Sequence, residues 1–152
     1  MRCHLIAVGR AKAGPQRDLF EHYSKRLTPP LALVEVEEKR PLPDAQVKER
    51  EAELLFAAVP KGALLVLLDE RGRNLDSQAF AEQLGAWRDG GAGDLAFLIG
   101  GAAGHGAFLK AQVDYSLSLG AMTWPHMLVR GLIAEQLYRG FSILSGHPYH
   151  RE

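Results

Sequence analysis

The stretch LAFLIGG, from Leu95 to Gly101, is apolar along the whole strand-length run and then stops at two glycines. A strand with one buried face would alternate apolar and polar residues, and this run has no polar position. Such a run is typical of a parallel sheet that helices cover on both faces. The run LLVLL, from Leu64 to Leu68, has the same character. The two runs therefore predict the middle of a parallel α/β sheet.

Strand and helix patterns alternate on either side of these two runs. Three more strands are predicted, at residues 5–8, 31–36 and 115–119. The helical patterns cover residues 16–27, 44–58, 76–87, 105–112 and 125–139. Asp44 is predicted to cap the second helix, and Pro125 to lie in the first turn of the last one. The order predicts an α/β fold, with a parallel sheet of about five strands and helices on both faces, in a single domain over residues 1–152.

Composition excludes several classes of protein. The 152 residues contain 18 Lys and Arg against 18 Asp and Glu, so the formal net charge is zero. This argues against binding of nucleic acid through bulk charge alone, although the first 30 residues are locally basic. A single cysteine, Cys3, allows no internal disulfide and fits a reducing cytoplasm. No apolar run approaches the roughly 20 residues of a membrane span, so we expect a cytoplasmic protein.

Three strand ends carry the candidate ligand-binding segments. In a parallel α/β sheet, ligands bind beyond the carboxyl ends of the strands, which here are residues 68–72, 100–104 and 119–125. The segment GGAAGHG matches neither the dinucleotide fingerprint nor the phosphate loop, and an ordinary strand-to-helix turn remains open. The segment LGAMTWPH can lay backbone groups against a flat heterocycle, or it can simply pack into the core.

The last helix and the tail concentrate polar side chains. His126 and Arg130 are four residues apart and share a helix face, which suggests an anion or nucleic-acid contact or else a solvated face. The ending SGHPYHRE places two histidines, a tyrosine and an arginine around Pro148. His147 and His150 lack an obvious third ligand, so no metal site is expected.

Three segments together identify a resemblance. The strand LAFLIGG with its glycine loop, the run LSLGAMTWPHMLVRGLIAEQLYRGFSI and the ending GHPYHRE resemble the small bacterial SPOUT methyltransferases of the RlmH type. The resemblance covers the whole chain, beginning at LIAVGR. It implies a C-terminal trefoil knot, a homodimer and S-adenosylmethionine as cofactor. It also implies methylation of N3 of a pseudouridine in 23S ribosomal RNA, the family's target being pseudouridine 1915 in helix 69, on the large subunit or the assembled 70S ribosome.

Carried over by position, the resemblance implies a set of cofactor contacts at the strand ends. They are Leu68, Gly100, Leu119, Gly120, Ala121, Met122, Thr123 and Trp124. Relatives commonly have Pro or Ser, and then Glu or Asn, where this chain has Ala102 and Ala103. We therefore expect the glycine loop to act through its backbone.

The tail is the predicted RNA-facing wall of the site. Its candidate catalytic residues are His147, Tyr149, His150 and Arg151, and the candidate RNA contacts are His126, Arg130 and Arg139. Tyr149 is suited to stacking on a base, Arg151 to holding a phosphate or a developing anion, and a histidine to accepting a proton. In a dimer, the tail of one subunit is expected to complete the site of the other. The alternatives are a non-catalytic ribosome-binding factor and a different nucleotide-binding α/β enzyme.

Overall fold

Five parallel strands form one sheet in the computed structural model, which describes residues 1–102 and 104–151. The strands are β1 (Arg2–Val8), β2 (Ala32–Val36), β3 (Leu64–Asn74), β4 (Asp94–Ile99) and β5 (Tyr115–Ser118). Their order across the sheet is β2-β1-β4-β3-β5, and every neighbouring pair is parallel. The predicted α/β class and number of strands are confirmed.

Helices cover both faces of the sheet. They are α1 (Pro15–Ser24), α2 (Asp44–Ala57), α3 (Ser77–Asp89), α4 (Ala107–Gln112) and α5 (His126–Ser145). One apolar core lies between the sheet and α1, α3 and α5, and a second lies between the sheet and α2 and α4. Alternate residues of one strand supply the two cores: Leu5 and Ala7 belong to the first and Ile6 to the second. This explains why the central strands have no polar face.

Several element boundaries differ from the predictions. Asp44 is the first helical residue of α2 and Pro43 precedes it, so the predicted cap at Asp44 is wrong by one position. Asp76 does cap α3, because its carboxylate accepts a hydrogen bond from the Ala79 N–H at 2.7 Å. Helix α5 continues to Ser145, six residues beyond the predicted end at Arg139, and Gly146 ends it in a left-handed conformation at φ 75°.

Strand β3 also continues further than its apolar run predicted. It pairs with β5 up to Leu68 and again from Arg73, and the register shifts between these two residues. Gly72 lies in this irregular segment, where a Cβ would come within 2.6 Å of the Ser116 carbonyl carbon. Sequence reasoning misses this continuation because the polar residues 69–71 favour a loop. The irregularity directs residues 69–71 away from the ladder and toward the candidate site.

No described helix has both the length and the apolar character needed to cross a membrane. Cys3 is buried in β1, and burial raises the pKa of its thiol to about 12. A thiol with so high a pKa is a packing group and not a nucleophile.

Candidate functional site

A cavity of about 430 Å³ opens at the carboxyl ends of β3, β4 and β5. This is the edge at which a parallel α/β sheet is expected to bind its ligand. Its apolar wall includes Ile99, Leu117 and Val129. Seven of the eight predicted cofactor contacts line it, namely Leu68, Gly100, Leu119, Gly120, Met122, Thr123 and Trp124, whereas Ala121 does not. The fold thus brings together strand ends that are about 20 to 30 residues apart in the chain.

Hydrogen bonds within the loop after β5, and from this loop to β3, hold the loop in place. The Ser118 hydroxyl accepts from the Gly120 N–H at 3.1 Å and lies 3.1 Å from the Glu70 carbonyl oxygen, so it ties this loop to β3. Gly120 has a φ of 116°, which favours glycine. The Trp124 indole N–H donates to the Leu119 carbonyl at 3.3 Å. The loop is therefore pre-shaped by its own contacts.

Two large apolar side chains at the rim are exposed in the single chain. Met122 is 75% exposed and Trp124 is 39% exposed. Neither packs into the core, so the alternative that this segment is an ordinary strand end in the core is wrong for these two residues. They are available to cover a ligand or to contact another molecule.

The two glycines at the end of β4 are packed too closely for a side chain. A Cβ at Gly100 would come within 2.5 Å of the His105 Nδ1, and a Cβ at Gly101 within 2.8 Å of the Glu51 carboxylate oxygens. The space beside these two glycines is therefore occupied by the side chains of His105 and Glu51. Ala102 is exposed, and Ala103 lies outside the described residues.

Glu51 is a buried carboxylate that sequence reasoning missed. Its Oε1 has no hydrogen-bond partner among the described residues. Burial raises the pKa of Glu51 above its ordinary value of 4.5, although the nearby His126 lowers it in part. Residues 35–53 contain many acidic side chains, a pattern typical of a solvated helix face. Nothing in that pattern distinguishes a single buried glutamate from the exposed ones.

His105 was also missed, because it is isolated in the sequence. Its Nε2 lies 3.1 Å from the Leu68 carbonyl oxygen, while its Nδ1 is buried and has no partner among the described residues. Burial lowers the pKa of His105 below its ordinary value of 6.5, and this outweighs the opposing effect of Asp69. The ring is therefore neutral at pH 7.

The C-terminal tail packs against the far end of α5. The Tyr149 hydroxyl donates to the Glu135 carboxylate at 3.0 Å, and the Arg139 guanidinium lies 4.8 Å from the Tyr149 ring centre. Arg139 also lies 3.1 Å from the His150 Nδ1. Burial, together with the Tyr23 and Glu135 contacts, raises the pKa of Tyr149, so its hydroxyl is a proton donor and not a base.

Within one chain, the described part of the tail does not reach the cavity. His126 at the first residue of α5 lines the cavity, whereas the tail follows the last residue of this 20-residue helix. From Ser145 the tail turns back along the helix as far as Glu135, and none of its described residues lines the cavity. The structure therefore does not bring His147, Tyr149, His150 or Arg151 to the cavity of their own chain.

The three candidate RNA contacts have different surroundings. His126 is exposed at the cavity. Arg130 points inward: its side chain is 3% exposed, its Nη1 lies 2.6 Å from the Glu35 carboxylate, and its Nη2 donates to the Gly9 carbonyl at 3.0 Å. It anchors α5 to the ends of β1 and β2 and does not present its charge to solvent. Arg139 is held by Glu135 at 2.6 Å beside the tail.

Two of the remaining basic residues are paired with acidic ones, and three others, Lys48, Arg71 and Lys110, line the cavity. Arg10 pairs with Glu37 at 3.3 Å and Arg17 with Glu21 at 3.0 Å, so the N-terminal third is less basic than its sequence suggests. In the part of the chain that the structure describes, no three His, Cys, Asp or Glu side chains are grouped to hold a metal ion.

Comparisons with known proteins agree with this geometry. Residues 1–150 match the model of a family described as "Predicted SPOUT methyltransferase". The chain is 61% identical over 151 residues to ribosomal RNA large subunit methyltransferase H of Paramagnetospirillum magneticum and 57% identical to the protein of that name from Rhodospirillum centenum, with 99% of each chain covered. Its fold resembles that of a probable methylase family protein from Haemophilus influenzae Rd KW20, with a TM-score of 0.59 at 15% identity over 99% of this chain and 70% of the other.

Proposed function

Since the chain belongs to the SPOUT methyltransferases, and within them to the family of ribosomal RNA large subunit methyltransferase H, we propose that it methylates N3 of a pseudouridine in 23S ribosomal RNA with S-adenosylmethionine as donor. The enzyme class follows from the family. One observation carries the choice of site: the cavity at the ends of β3, β4 and β5 is lined by seven of the eight residues expected to hold the cofactor.

The cavity fits S-adenosylmethionine in size and in chemistry. Pockets for ligands of this size measure roughly 300–1,000 Å³, and this cavity of about 430 Å³ lies within that range. Leu68, Gly100 and the loop at 119–124 offer backbone donors and acceptors, and the wall behind them is apolar. The buried Nδ1 of His105 is a further acceptor. Asp69 and Glu70 line the same cavity together with Lys48, Arg71 and Lys110, so it presents both signs of charge to a ligand that carries cationic and anionic groups.

Bound S-adenosylmethionine supplies an electrophilic methyl group on a sulfonium centre. The protein must hold the acceptor nitrogen in line with that methyl group and exclude water from the site. Ile99, Leu117 and Val129 form the water-excluding wall. As N3 loses its proton, its electron pair forms the new N–C bond and the S–C bond breaks, leaving a neutral thioether.

Removal of the N3 proton needs a base within reach of the base ring. His126 lies at the cavity in the same chain. His147 and His150 belong to the tail, which packs on α5 beside Glu135 and Arg139, and neither histidine lines this cavity. We place the tail of a second subunit over this cavity, so that the homodimer joins the cofactor pocket of one chain to the histidines, Tyr149 and Arg151 of the other. Exposed Met122 and Trp124 at the rim support an occupant of this kind.

The substrate is expected to be a structured ribosomal surface. With no net charge, the protein attracts RNA weakly from a distance, and shape must supply much of the recognition. We therefore propose that the enzyme acts in the cytoplasm on the assembled large subunit or the 70S ribosome. Naked 23S ribosomal RNA is expected to be a poor substrate, and equal rates on both would contradict this.

The test uses ribosomes from cells that lack the enzyme, incubated with purified protein and methyl-labelled S-adenosylmethionine. Label is expected at a single pseudouridine of the large subunit. A variant truncated after Gly146 is expected to bind S-adenosylhomocysteine normally and to transfer no label. If the full-length protein binds the cofactor but never labels competent ribosomes, the non-catalytic ribosome-binding factor becomes the better explanation.

A different nucleotide-binding enzyme is tested separately. Thermal unfolding is compared with S-adenosylmethionine, NADH and ATP. Only the first is expected to raise the Tm, because the glycine loop lacks the pattern of dinucleotide and phosphate-loop sites. Stabilisation by NADH or ATP alone would overturn the proposed cofactor.

A further inference from the structure

His105 is placed at the point where two expected cofactor contacts meet. Its ring contacts the backbone of Gly100 and reaches the Leu68 carbonyl, and it lines the same cavity. It holds this place from the loop before α4, a segment in which Gly104 has a φ of 88°.

The contact with Leu68 determines which nitrogen carries the proton. A carbonyl oxygen only accepts hydrogen bonds, so the Nε2 that lies 3.1 Å from it must be the donor. In a neutral ring the other nitrogen, Nδ1, is then an acceptor with a free lone pair. That atom is buried and has no partner in the described part of the chain. A buried acceptor without a partner costs free energy that a ligand can recover.

We propose that His105 is a further cofactor-binding residue, whose Nδ1 accepts a hydrogen bond from a hydroxyl or amino group of the nucleoside part of S-adenosylmethionine. The inference rests on the proposed function. A neutral donor is the suitable partner because the acceptor is itself neutral and buried, whereas the cationic groups of the cofactor are better matched by the Asp69 and Glu70 carboxylates in the same cavity.

The two nitrogens can be separated by two substitutions. Asn has an acceptor at about the position of Nδ1 and no group at that of Nε2, whereas Gln has a donor at about the position of Nε2 and no acceptor at that of Nδ1. If His105 binds the cofactor, His105→Gln weakens S-adenosylhomocysteine binding about tenfold, and His105→Asn stays within about threefold of the native protein. If His105 only supports the Leu68 carbonyl, the order of the two variants reverses.

Binding is measured by calorimetry, with thermal unfolding of each free variant as the check on folding. His22→Gln is the control, since His22 is exposed on α1 and away from the cavity. Repeating the titration with methylthioadenosine, which lacks the amino-acid part, should preserve the penalty of His105→Gln. Loss of the penalty with this ligand would overturn the assignment to the nucleoside.

The pH dependence gives an independent readout. Protonation of the ring removes the Nδ1 lone pair, so the Kd of the native protein should rise as pH falls through the pKa of His105, which burial holds below its ordinary value of 6.5. Asp69, Lys110 and His126 are the charged groups around the ring. In His105→Gln the change of Kd with pH should be smaller, and an unchanged pH profile would contradict the proposal. If the native protein binds no S-adenosylhomocysteine at any pH, the proposed function itself fails.

Discussion

Gly100 and Gly101 show at the scale of single residues how this pocket is built. Each glycine leaves room for a polar side chain that comes from another part of the chain, His105 in one case and Glu51 in the other. The glycines were recognisable in the sequence, but their purpose was not. Glycine at these positions allows the backbone to approach a ligand closely. In the structure, the space where a Cβ would lie is already occupied by the His105 and Glu51 side chains.

Gly101→Ala tests this packing. The new Cβ would lie 2.8 Å from the Glu51 carboxylate oxygens, so the end of this buried side chain must move or the loop must shift, at a cost of about 1 kcal/mol. We expect a lower Tm and weaker cofactor binding. The control is Gly93→Ala, since a Cβ at Gly93 meets no atom within 4 Å. Equal Tm values for the two variants would show that the packing at Gly101 is loose.

Glu51→Gln tests the cost of the buried carboxylate. Burial raises the pKa of Glu51 in the folded chain above the unfolded value of 4.5. The stability that this side chain contributes is therefore fully present below pH 4.5 and is lost as pH rises through the folded pKa. The Gln variant should therefore have the higher Tm at pH 7.5, by about 2–4 °C for each kcal/mol gained. The gain should shrink toward pH 4.5.

The matched control for this series is Glu49→Gln, an exposed site on the same helix. It should change the Tm little at any pH. A Glu51→Gln variant that is less stable than the native protein at pH 7.5 would show that the ionised carboxylate has a stabilising partner.

Among the elements, α5 links the two ends of the molecule. Its first turn borders the cavity, its middle packs on α1 and α3, and its end carries the tail. Arg130 holds α5 in place through its ion pair with Glu35. Burial alone raises the pKa of Glu35, but the hydrogen bonds from Arg130 and the Ala11 N–H outweigh that effect and leave the pKa of Glu35 below its ordinary value. The ion pair thus holds the start of α5 against the ends of β1 and β2.

Arg130→Ala separates the structural role of this arginine from RNA contact. Removing one partner of a buried ion pair costs about 3–5 kcal/mol, so we expect a lower Tm by thermal unfolding. Arg26→Ala, at an exposed site near Tyr138, is the control and should be nearly neutral. If Arg130→Ala keeps the native Tm but loses ribosome binding, the original prediction of an RNA contact is the correct one.

At the scale of the whole molecule, a single chain leaves the proposed site incomplete. The cavity lies at the first turn of α5, whereas the tail packs beside Glu135 and Arg139 and none of its described residues lines the cavity. The proposed dimer resolves this if each tail covers the cavity of the other subunit. The trefoil knot and the dimer both stay predictions of the family resemblance.

Mixing two inactive variants tests the shared site. One is truncated after Gly146, and the other is Thr123→Trp, which fills the cavity from an exposed position. Random pairing makes half of the dimers mixed, each with one intact site, so activity should return to about a quarter of the native value. Loss of S-adenosylhomocysteine binding by Thr123→Trp is checked first. No recovery in mixed dimers that sedimentation confirms would show that the site is not shared.

The sequence by itself determined the elements of this protein and the edge of the sheet at which the cavity lies. Apolar runs such as Leu95–Ile99 are local signals, because a strand buried on both faces must be apolar at every position. The glycines at 100 and 101 and the loop from Leu119 to Trp124 are local signals too. Together with the tail they were sufficient to indicate the family.

Only the tertiary structure decided which polar side chains meet. His105 with Leu68, Glu51 with Gly101 and Arg130 with Glu35 are pairs distant in the sequence, and periodicity carries no information about such contacts. The same holds for the tail, whose composition suggested chemistry but whose position depends on the length of α5. Local patterns determine strands and helices because their hydrogen bonds are local, whereas a site depends on contacts between distant segments that packing alone defines.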